Sequence, residues 1–474
     1  MDSPVRVTPE ARQYGFDQLC RRAGLKKQDG QRWRTEIVQD GTMRLRHAAG
    51  KGSVVFRRAC EEISSRCVVR KTALRARYAG NQLPQAGSVD DLIVPFCMRA
   101  SKSGQALFVE TSPGEFHCTE DLPASTVLVL SRYEELETTD VDEYGRFRAA
   151  SSAAAHDDYL ARPIVDEWGV ALEQVLAAID PAFSADRKLR VKISHDVDLI
   201  GIPFGLREPA VQLIARRDVR AALWDVLSGF TNVVPGSLRH VITVCEQGIA
   251  RGLRPALYWK ASGRTKYDSG YDIADPRIAR VIHWAQERGV EMGIHPGFET
   301  LSAPEKLARE VERWRGTLGT QETGGRQHYL RWRPESWLDW EHCGLAYDSS
   351  VGYADCAGFR AGTCWPYVPW LWAENRRAKL LEIPLIAMDR TLVSPRYMGL
   401  SEEASVELVK DLIRKCADVG GVFTLLWHNN CLGRPFSMHY PLILDALSGI
   451  ENYEWRRDTR DFVTNAHGMQ TIRS

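Results

Sequence analysis

Apolar runs of strand length recur along the second half of the chain, and stretches with helical spacing lie between them. The strand-like runs are residues 189–194, 254–259, 290–294, 380–386 and 421–427. Apolar residues three and four apart predict helices, as at Ile278, Val281, Ile282 and Ala285, before Gly289. Strands that alternate with helices are typical of an α/β fold with a parallel sheet. We therefore predict a distorted (β/α) barrel-like domain of up to seven strands.

The first part of the chain has a different pattern. Residues 53–56, 91–95 and 126–130 are interpreted as short strands among charged loops, and 163–179 as a helix with Pro163 in its first turn. The polar stretch 180–188 then marks a boundary. We predict a smaller N-terminal α/β domain at 1–185 and a catalytic domain at 186–474, with a helical insertion at 201–248.

Composition limits the classes of partner. The 474 residues are 44% hydrophobic, and 62 basic against 61 acidic side chains leave a net charge of +1. This balance argues against nucleic acid as the main partner, and the absence of a long apolar run argues against a membrane span. The start of the chain has no leader-like apolar segment, and the eleven cysteines include no CxxC pair. These features favour reduced thiols and a cytoplasmic location.

Acidic and histidine side chains stand at the ends of three predicted strands. Asp196 and Asp198 follow the first, His295 ends the third and His428 ends the last. In barrels of this type, reactive residues lie at the carboxyl ends of the strands. The two aspartates are two residues apart on an extended chain, so both project from one face. One can bind a metal while the other transfers a proton. A single histidine at a strand end is more often structural. The prediction of a site therefore depends on the aspartates and both histidines meeting at the same end of the sheet.

Five motifs in order then resemble the polysaccharide deacetylase family, also called carbohydrate esterase family four. They occupy residues 194–198 (Ser-His-Asp-Val-Asp), 293–297 (Gly-Ile-His-Pro-Gly), 328–334 (His-Tyr-Leu-Arg-Trp-Arg-Pro), 347–350 (Tyr-Asp-Ser-Ser) and 425–428 (Leu-Leu-Trp-His). The likeness covers roughly residues 189–432. Residues 352–363 (Gly-Tyr-Ala-Asp-Cys-Ala-Gly-Phe-Arg-Ala-Gly-Thr) are similar to a signature of a bacterial branch that carries an extra N-terminal domain.

The resemblance implies a role for each matching residue. Asp196 would be the catalytic base, Arg331 (with Arg333 as the alternative) would orient it, and His428 would protonate the leaving amine. Asp198 and His295 would bind a divalent metal ion, Zn²⁺ first and Co²⁺, Ni²⁺ or Fe²⁺ otherwise.

The chain departs from the family pattern at the third metal ligand. Most members have a second histidine four residues after the first, and Glu299 stands at that position here. A carboxylate can bind such an ion, so an Asp/His/Glu set is one interpretation. A solvated glutamate is the other, with His195 or water completing the shell.

The branch signature also suggests a substrate site. Tyr353, Asp355, Arg360 and Trp427 are candidate substrate-binding residues, with a structural loop as the alternative for the signature residues. The aromatics at 367, 370 and 372 could stack on a sugar or anchor a loop. The implied function is metal-dependent removal of an N-acyl group, acetyl first, from an amino sugar or glycan intermediate. The alternatives are hydrolysis of another non-peptide C–N bond and a catalytically silent glycan-binding or scaffold protein.

Overall fold

The structure is a computed structural model that describes most of the chain. The described residues are 5–38, 40–58, 62–63, 76–78, 92–95, 106–136, 138–200, 213, 219, 223, 236–262, 265–268, 271–319, 322–432, 439–464 and 471–473. Most of the predicted insertion at 201–248 therefore lies outside them. None of the helices in these ranges is both long and apolar enough to span a bilayer.

The N-terminal part of the chain combines a mixed sheet with helices. Its helices are α1 (Pro9–Arg22), α2 (Leu122–Leu130), α3 (Ala153–His156) and α4 (Ile164–Ile179). Its strands are β1 (Val5–Arg6), β2 (Trp33–Ile37), β3 (Met43–His47), β4 (Ser53–Phe56), β5 (Glu62–Ile63), β6 (Ala76–Tyr78), β7 (Leu92–Val94), β8 (Phe108–Ser112) and β9 (Glu115–Cys118). Strands β2, β3 and β4 are antiparallel, β9 joins β4 in parallel, and β8 forms the edge.

Residues 126–130, predicted as a strand, belong to helix α2, so that prediction is wrong. The Asp121 side chain caps the helix by accepting the Ala124 N–H at 3.2 Å, and Pro123 lies in the first turn. All nine residues of α2 are buried, so no polar face reveals a helical period. Helix α1 packs closely against α2, where a Cβ on Gly15 would lie 1.9 Å from the Pro123 carbonyl oxygen.

The rest of the chain alternates strands and helices. Its strands are β10 (Arg190–Val197), β11 (Pro255–Trp259), β12 (Glu291–Ile294), β13 (Tyr347–Asp348), β14 (Trp370–Leu371), β15 (Arg376–Arg377), β16 (Leu381–Glu382), β17 (Ala387–Met388), β18 (Val422–Leu426), β19 (Glu451–Asn452) and β20 (Thr471–Arg473). Its helices are α5 (Gly236–Ile249), α6 (Pro276–Glu287), α7 (Pro304–Leu318), α8 (Ser336–His342), α9 (Asp389–Val393), α10 (Glu402–Asp418), α11 (His439–Leu447) and α12 (Trp455–Thr464).

Parallel strands form the centre of this part, which confirms the predicted α/β class. The order is β12-β11-β10-β18-β17, with β19 beside the start of β10 and every pairing parallel. Strand β10 is buried from Val191 to Val197 and runs three residues past its predicted end. Asp196 therefore lies within β10, and Asp198 is the first residue after this strand. Strand β20 returns to the N-terminal sheet and pairs with β2.

Candidate active site and metal centre

A buried ion pair lies at the carboxyl end of β10. The Arg326 guanidinium donates to Asp196 Oδ1 at 2.8 Å and to the Ser194 hydroxyl at 2.9 Å. It also donates to the Ser349 carbonyl at 2.9 Å and lies over the Tyr258 ring. Both charged side chains are almost fully buried. Charge-assisted hydrogen bonds of this kind fix a carboxylate in one orientation.

Asp198 lies next to this pair, and two histidines lie close to its carboxylate. Its Oδ1 is 3.1 Å from His295 Nε2 and 3.4 Å from His328 Nε2. One ligand atom from each of the three residues falls within 4.8 Å of the others. One carboxylate oxygen and two imidazole nitrogens form a donor set that suits Zn²⁺ and similar divalent ions. Among the residues that the structure describes, Asp198, His295 and His328 therefore form the group that fits a metal ion.

The far side of each imidazole is held by a hydrogen bond. His295 Nδ1 donates to the Arg326 carbonyl at 2.7 Å, and His328 Nδ1 lies 2.8 Å from Asp268 Oδ1. These bonds leave the Nε2 atoms facing Asp198, which is how ligand histidines are oriented in metal sites. Burial lowers the pKa of His328 to about 4, although Asp198 and Asp268 oppose that shift. The ring is therefore neutral at pH 7, as a ligand must be.

Lys260 adds positive charge beside this cluster. Its ammonium lies 3.1 Å from each ring nitrogen of His328 and 3.3 Å from Asp268 Oδ1. Burial alone would raise the pKa of Asp268, but His328 and Lys260 outweigh it and hold that pKa well below its ordinary value. Asp268 is thus a carboxylate at neutral pH and a firm acceptor for the His328 ring.

A second ion pair, between His428 and Asp389, lies beside Asp198. His428 Nδ1 is 2.7 Å from Asp389 Oδ1, and the His428 backbone N–H donates to Asp389 Oδ2 at 2.7 Å. His428 Nε2 then points toward Asp198, 3.5 Å from Oδ2. Burial by itself would lower the pKa of His428, but Asp389 and Asp198 outweigh it and raise that pKa to about 9. The imidazole is therefore cationic at neutral pH, with one N–H held by Asp389 and the other available.

The raised pKa of His428 predicts a pH dependence of stability in chelator-treated protein. Because the folded value is about 9, above the ordinary 6.5, the contribution is present below pH 6.5 and is lost as the pH rises through 9. We expect the free energy of unfolding to fall by on the order of 1–3 kcal/mol between pH 7 and pH 10. Denaturant titrations at several pH values measure this change in the free energy of unfolding. A His428→Asn variant with the same decline as the wild type would contradict the assignment.

The structure does not bring three of the expected residues to this cluster. Arg331 donates to the carbonyls of Tyr144 and Phe298, and Arg333 is half-exposed beside Glu335. Arg326 takes the position expected of Arg331, because Gly325 bridges Ile294 and Asp348 and the adjacent Arg326 side chain reaches Asp196 on β10. Glu299 has 52% of its side chain exposed and pairs with Lys306. His328 stands where Glu299 was expected.

His195 and Trp427, both in the predicted motifs, are fully buried structural side chains. His195 Nδ1 donates to the Trp427 carbonyl at 2.7 Å, and its Nε2 lies 3.4 Å from the Tyr440 hydroxyl. Trp427 donates its indole N–H to the Cys431 carbonyl and stacks on Tyr440. His195 therefore does not supply the missing ligand, and Trp427 has no exposed surface for a substrate.

Three residues of the branch signature contact the N-terminal part of the chain. Arg360 is buried and paired with Glu135, and Tyr353 packs against Phe147. Asp355 accepts the Ala149 N–H at 3.2 Å. The expected substrate roles of Tyr353, Asp355 and Arg360 thus give way to the structural-loop alternative. Of the neighbouring aromatics, Tyr367 and Trp370 are buried as well, and Trp372 packs on Tyr133.

Four residues of the site were not assigned from the sequence. His328 is the first residue of the 328–334 motif, and Arg326 precedes it by two residues. Asp389 follows the predicted strand at 380–386, so the strand-end rule could have found it. Asp268 had no such signal, because it lies in a short turn with Thr265 whose position only the folded chain sets.

One family model matches part of the first half of the chain. Residues 61–181 match the model of a family of unknown function, DUF7033. No curated protein matches the chain.

Three solved structures align over much of the chain. A provisionally named polysaccharide deacetylase from Mycobacterium smegmatis is 14% identical with a TM-score of 0.41, over 62% of this chain and 96% of that one. Another, linked by name to O-antigen biosynthesis in Bordetella bronchiseptica, is 13% identical with a TM-score of 0.27, over 59% and 90%. A provisionally named glycoside hydrolase/deacetylase from Parabacteroides distasonis is 11% identical with a TM-score of 0.33, over 59% and 68%. At these values the likeness assigns no function to this chain.

Proposed function

We propose that this protein is a metal-dependent hydrolase that removes an N-acyl group, acetyl first, from an amino sugar or glycan intermediate. One observation carries the proposal. Two oriented groups adjoin the set of Asp198, His295 and His328: the Asp196 carboxylate, held by Arg326, lies 3.6 Å from His295 Nδ1, and the cationic His428, held by Asp389, lies 3.5 Å from Asp198 Oδ2. A base and an acid beside one metal-binding set are what amide hydrolysis requires.

Asp196 and His428 each carry out one of the two proton transfers. Asp196 accepts the proton of the attacking water through the oxygen that Arg326 does not hold. His428 gives its Nε2 proton to the nitrogen of the breaking C–N bond, so that the amine leaves as a neutral group. Asp389 holds Nδ1–H throughout, which fixes the ring with Nε2 toward the reacting atoms.

The metal ion would be held by Asp198, His295 and His328. When bound, such an ion polarises the acyl carbonyl and the attacking water as a Lewis acid. Both histidines are buried and their Nδ1 atoms are hydrogen-bonded to other groups, which orients the two Nε2 atoms toward a common ion. Zn²⁺ is the first candidate, with Co²⁺, Ni²⁺ and Fe²⁺ as alternatives.

We also infer that the parallel strands close into the predicted distorted barrel. Gly325 bridges Ile294 and Asp348 in parallel, which links β12 to β13. The segment 381–388 then pairs with β13 at its start and with β18 at its end. Closure of this kind supports the function, since it turns the ends of β10, β12 and β18 toward one opening.

The silent glycan-binding alternative depends on the lack of a second histidine ligand for the metal ion. His328 is a candidate for that ligand, so the alternative loses its basis. Hydrolysis of another C–N bond uses the same groups and is separated only by substrate. The cytoplasmic location stays a prediction from the cysteine pattern. With this location, the candidate substrates are nucleotide sugars, lipid-linked intermediates and small amino sugars.

The proposal predicts acetate release from an N-acetylated amino sugar. We expect turnover with at least one member of a panel of N-acetylated nucleotide sugars, glycan lipids and free amino sugars, measured by coupled acetate assay. A chelator should abolish it, and Zn²⁺ or Co²⁺ should restore it. Release from simple amides but no sugar would favour the other C–N hydrolase. A folded, metal-free protein that binds glycans without turnover would favour the silent one.

A further inference from the structure

A cavity lies at the amino ends of the central strands, opposite the metal-binding set. Its volume of about 680 Å³ is within the range of small-molecule sites. Arg190 and Val422, the first residues of β10 and β18, belong to its lining. Arg190 precedes Asp196 on the same strand, and the rise of an extended chain over that length is about 20 Å. The cavity is therefore separate from the candidate active site.

Three segments of the chain meet to form this cavity: the end of α1, the connection into β10 and the start of β18. Two glycines with positive φ allow the close approach. A Cβ on Gly24 (φ 88°) would lie 2.3 Å from the Ala185 Cβ, and one on Gly420 (φ 64°) would lie 2.7 Å from the Arg187 Cβ. The N-terminal helix α1 and the central sheet therefore both contribute to the walls.

Most of the charged side chains in the lining are cationic. The acid among them is Asp186, and the cations are Arg21, Arg22, Lys26, Arg187, Lys188 and Arg190. The whole chain has a net charge of only +1, so this excess of positive charge is local. A cleft lined mainly by one sign of charge raises the local concentration of counter-ions. The cavity therefore favours an anionic ligand.

Two of these cations hold the walls together. Arg22 donates to Asp166 Oδ1 at 2.6 Å, and both side chains are buried. Arg187 donates to Glu173 Oε2 at 2.7 Å. It also donates to the carbonyls of Val419 and Arg22, at 2.9 and 3.0 Å. These bonds join α1, α4 and the chain before β18, so the shape of the cavity is fixed without a ligand.

Two lysines at the cavity have ammonium groups that solvent can reach. Lys26 is exposed just after the end of α1. Lys188 has 60% of its side chain exposed, and its ammonium lies 3.8 Å from the equally exposed carboxylate of Asp186. Exposed pairs at this distance stabilise a protein little. Both ammonium groups can therefore turn to a ligand at small cost.

Arg190 is a third cation that its neighbours satisfy only in part. Its guanidinium lies 3.7 Å from Asp458 and 3.8 Å from Glu451, beyond hydrogen-bond distance. Both carboxylates also pair with Arg457, at 3.3 and 3.0 Å. The Arg190 Nε is buried and has no hydrogen-bond partner among the residues that the structure describes. Arg190 thus has donor capacity beside the cavity.

We infer that this cavity binds the diphosphate group of a small molecule, with Lys26, Lys188 and Arg190 as its cationic contacts. Ammonium and guanidinium groups form charge-assisted hydrogen bonds with phosphate oxygens, and three cations match a group with more than one negative charge. The partly exposed Trp365, also in the lining, offers an apolar face to a ring carried by that group. The inference is independent of the proposed function, because the ligand is held at the other end of β10.

Calorimetry with inorganic pyrophosphate, ADP and adenosine at low ionic strength tests the site. We expect the wild type to bind pyrophosphate and ADP but not adenosine, with affinity that falls as salt is added. The Lys26→Gln/Lys188→Gln variant should bind both phosphate probes about tenfold more weakly. Lys306→Gln/Lys410→Gln is the matched control, because it removes the same charge from partly exposed positions outside the cavity. It should bind like the wild type.

The binding of ADP by His328→Ala shows at which end of the strands the phosphates lie. We expect wild-type affinity, and loss of binding in this variant would place the phosphates on the metal ion and overturn the inference. Wild type that binds neither phosphate probe would overturn it, as would adenosine binding equal to that of ADP or full affinity in Lys26→Gln/Lys188→Gln. With the expected variant effects, tighter binding of ADP than of pyrophosphate supports a nucleotide as the source of the diphosphate, and equal affinity supports the inorganic anion.

Discussion

Asp196→Asn is expected to lower kcat by roughly 10²–10⁴-fold, the loss typical of a missing general base. The carboxamide has nearly the same shape and keeps an oxygen that can accept the Arg326 N–H, which is 2.8 Å from Asp196 Oδ1. It cannot take up a proton from water near neutral pH. Acetate release at saturating substrate measures the loss, and metal stoichiometry should stay near that of the wild type.

The matched control is Asp186→Asn, because that aspartate has 60% of its side chain exposed and lies before the start of β10. It should leave kcat unchanged. Thermal melting of Asp196→Asn checks that the buried Arg326 still finds its partners. A variant that stays folded and retains full turnover would remove Asp196 from the mechanism.

His328→Ala is expected to weaken Zn²⁺ binding by more than the roughly 10–100-fold that follows loss of an outer partner of a ligand. The reason is that it deletes one of only two imidazole donors in the set with Asp198. Turnover should fall with metal content and recover partly at high Zn²⁺. Competition with a chromogenic chelator gives the affinity, and elemental analysis gives the stoichiometry.

Glu299→Gln is the paired variant for that experiment. Its carboxylate is half-exposed on Lys306, so we expect no change in Zn²⁺ affinity. The opposite pattern, with loss of metal in Glu299→Gln and little effect in His328→Ala, would restore the ligand set expected from the family pattern. Such a result would require the 297–302 turn to rearrange when metal binds.

The sequence by itself was sufficient for the α/β class and for the strand-end positions of four site residues. Asp196 and Asp198 lie within four residues of the end of one apolar run, and His295 and His428 each come directly after another. Parallel strands bring these carboxyl ends to one edge. That inference needs only local hydrophobicity and the direction of the chain. It therefore did not depend on any long-range contact being known.

The local hydrophobic pattern did not predict the structure where all residues of an element are buried or where the element is short. Helix α2 was mistaken for a strand because its nine residues are buried on every side, against α1 among other elements, and show no helical period. The signature residues Tyr353 and Arg360 looked like a substrate site because they are polar and aromatic in a loop. Their partners, Phe147 and Glu135, lie more than two hundred residues earlier in the chain.

Only the tertiary structure decided the third ligand and the base-orienting arginine. Arg326 and His328 lie in a segment with a single-residue bridge at Gly325 and a short strained turn, so no apolar period places them. Their positions depend on the contacts that Ile294, Asp348 and Arg146 make with that segment. A hydrogen bond between residues 130 apart, such as Arg326 to Asp196, leaves no mark on local spacing, because its geometry exists only once the strands have assembled.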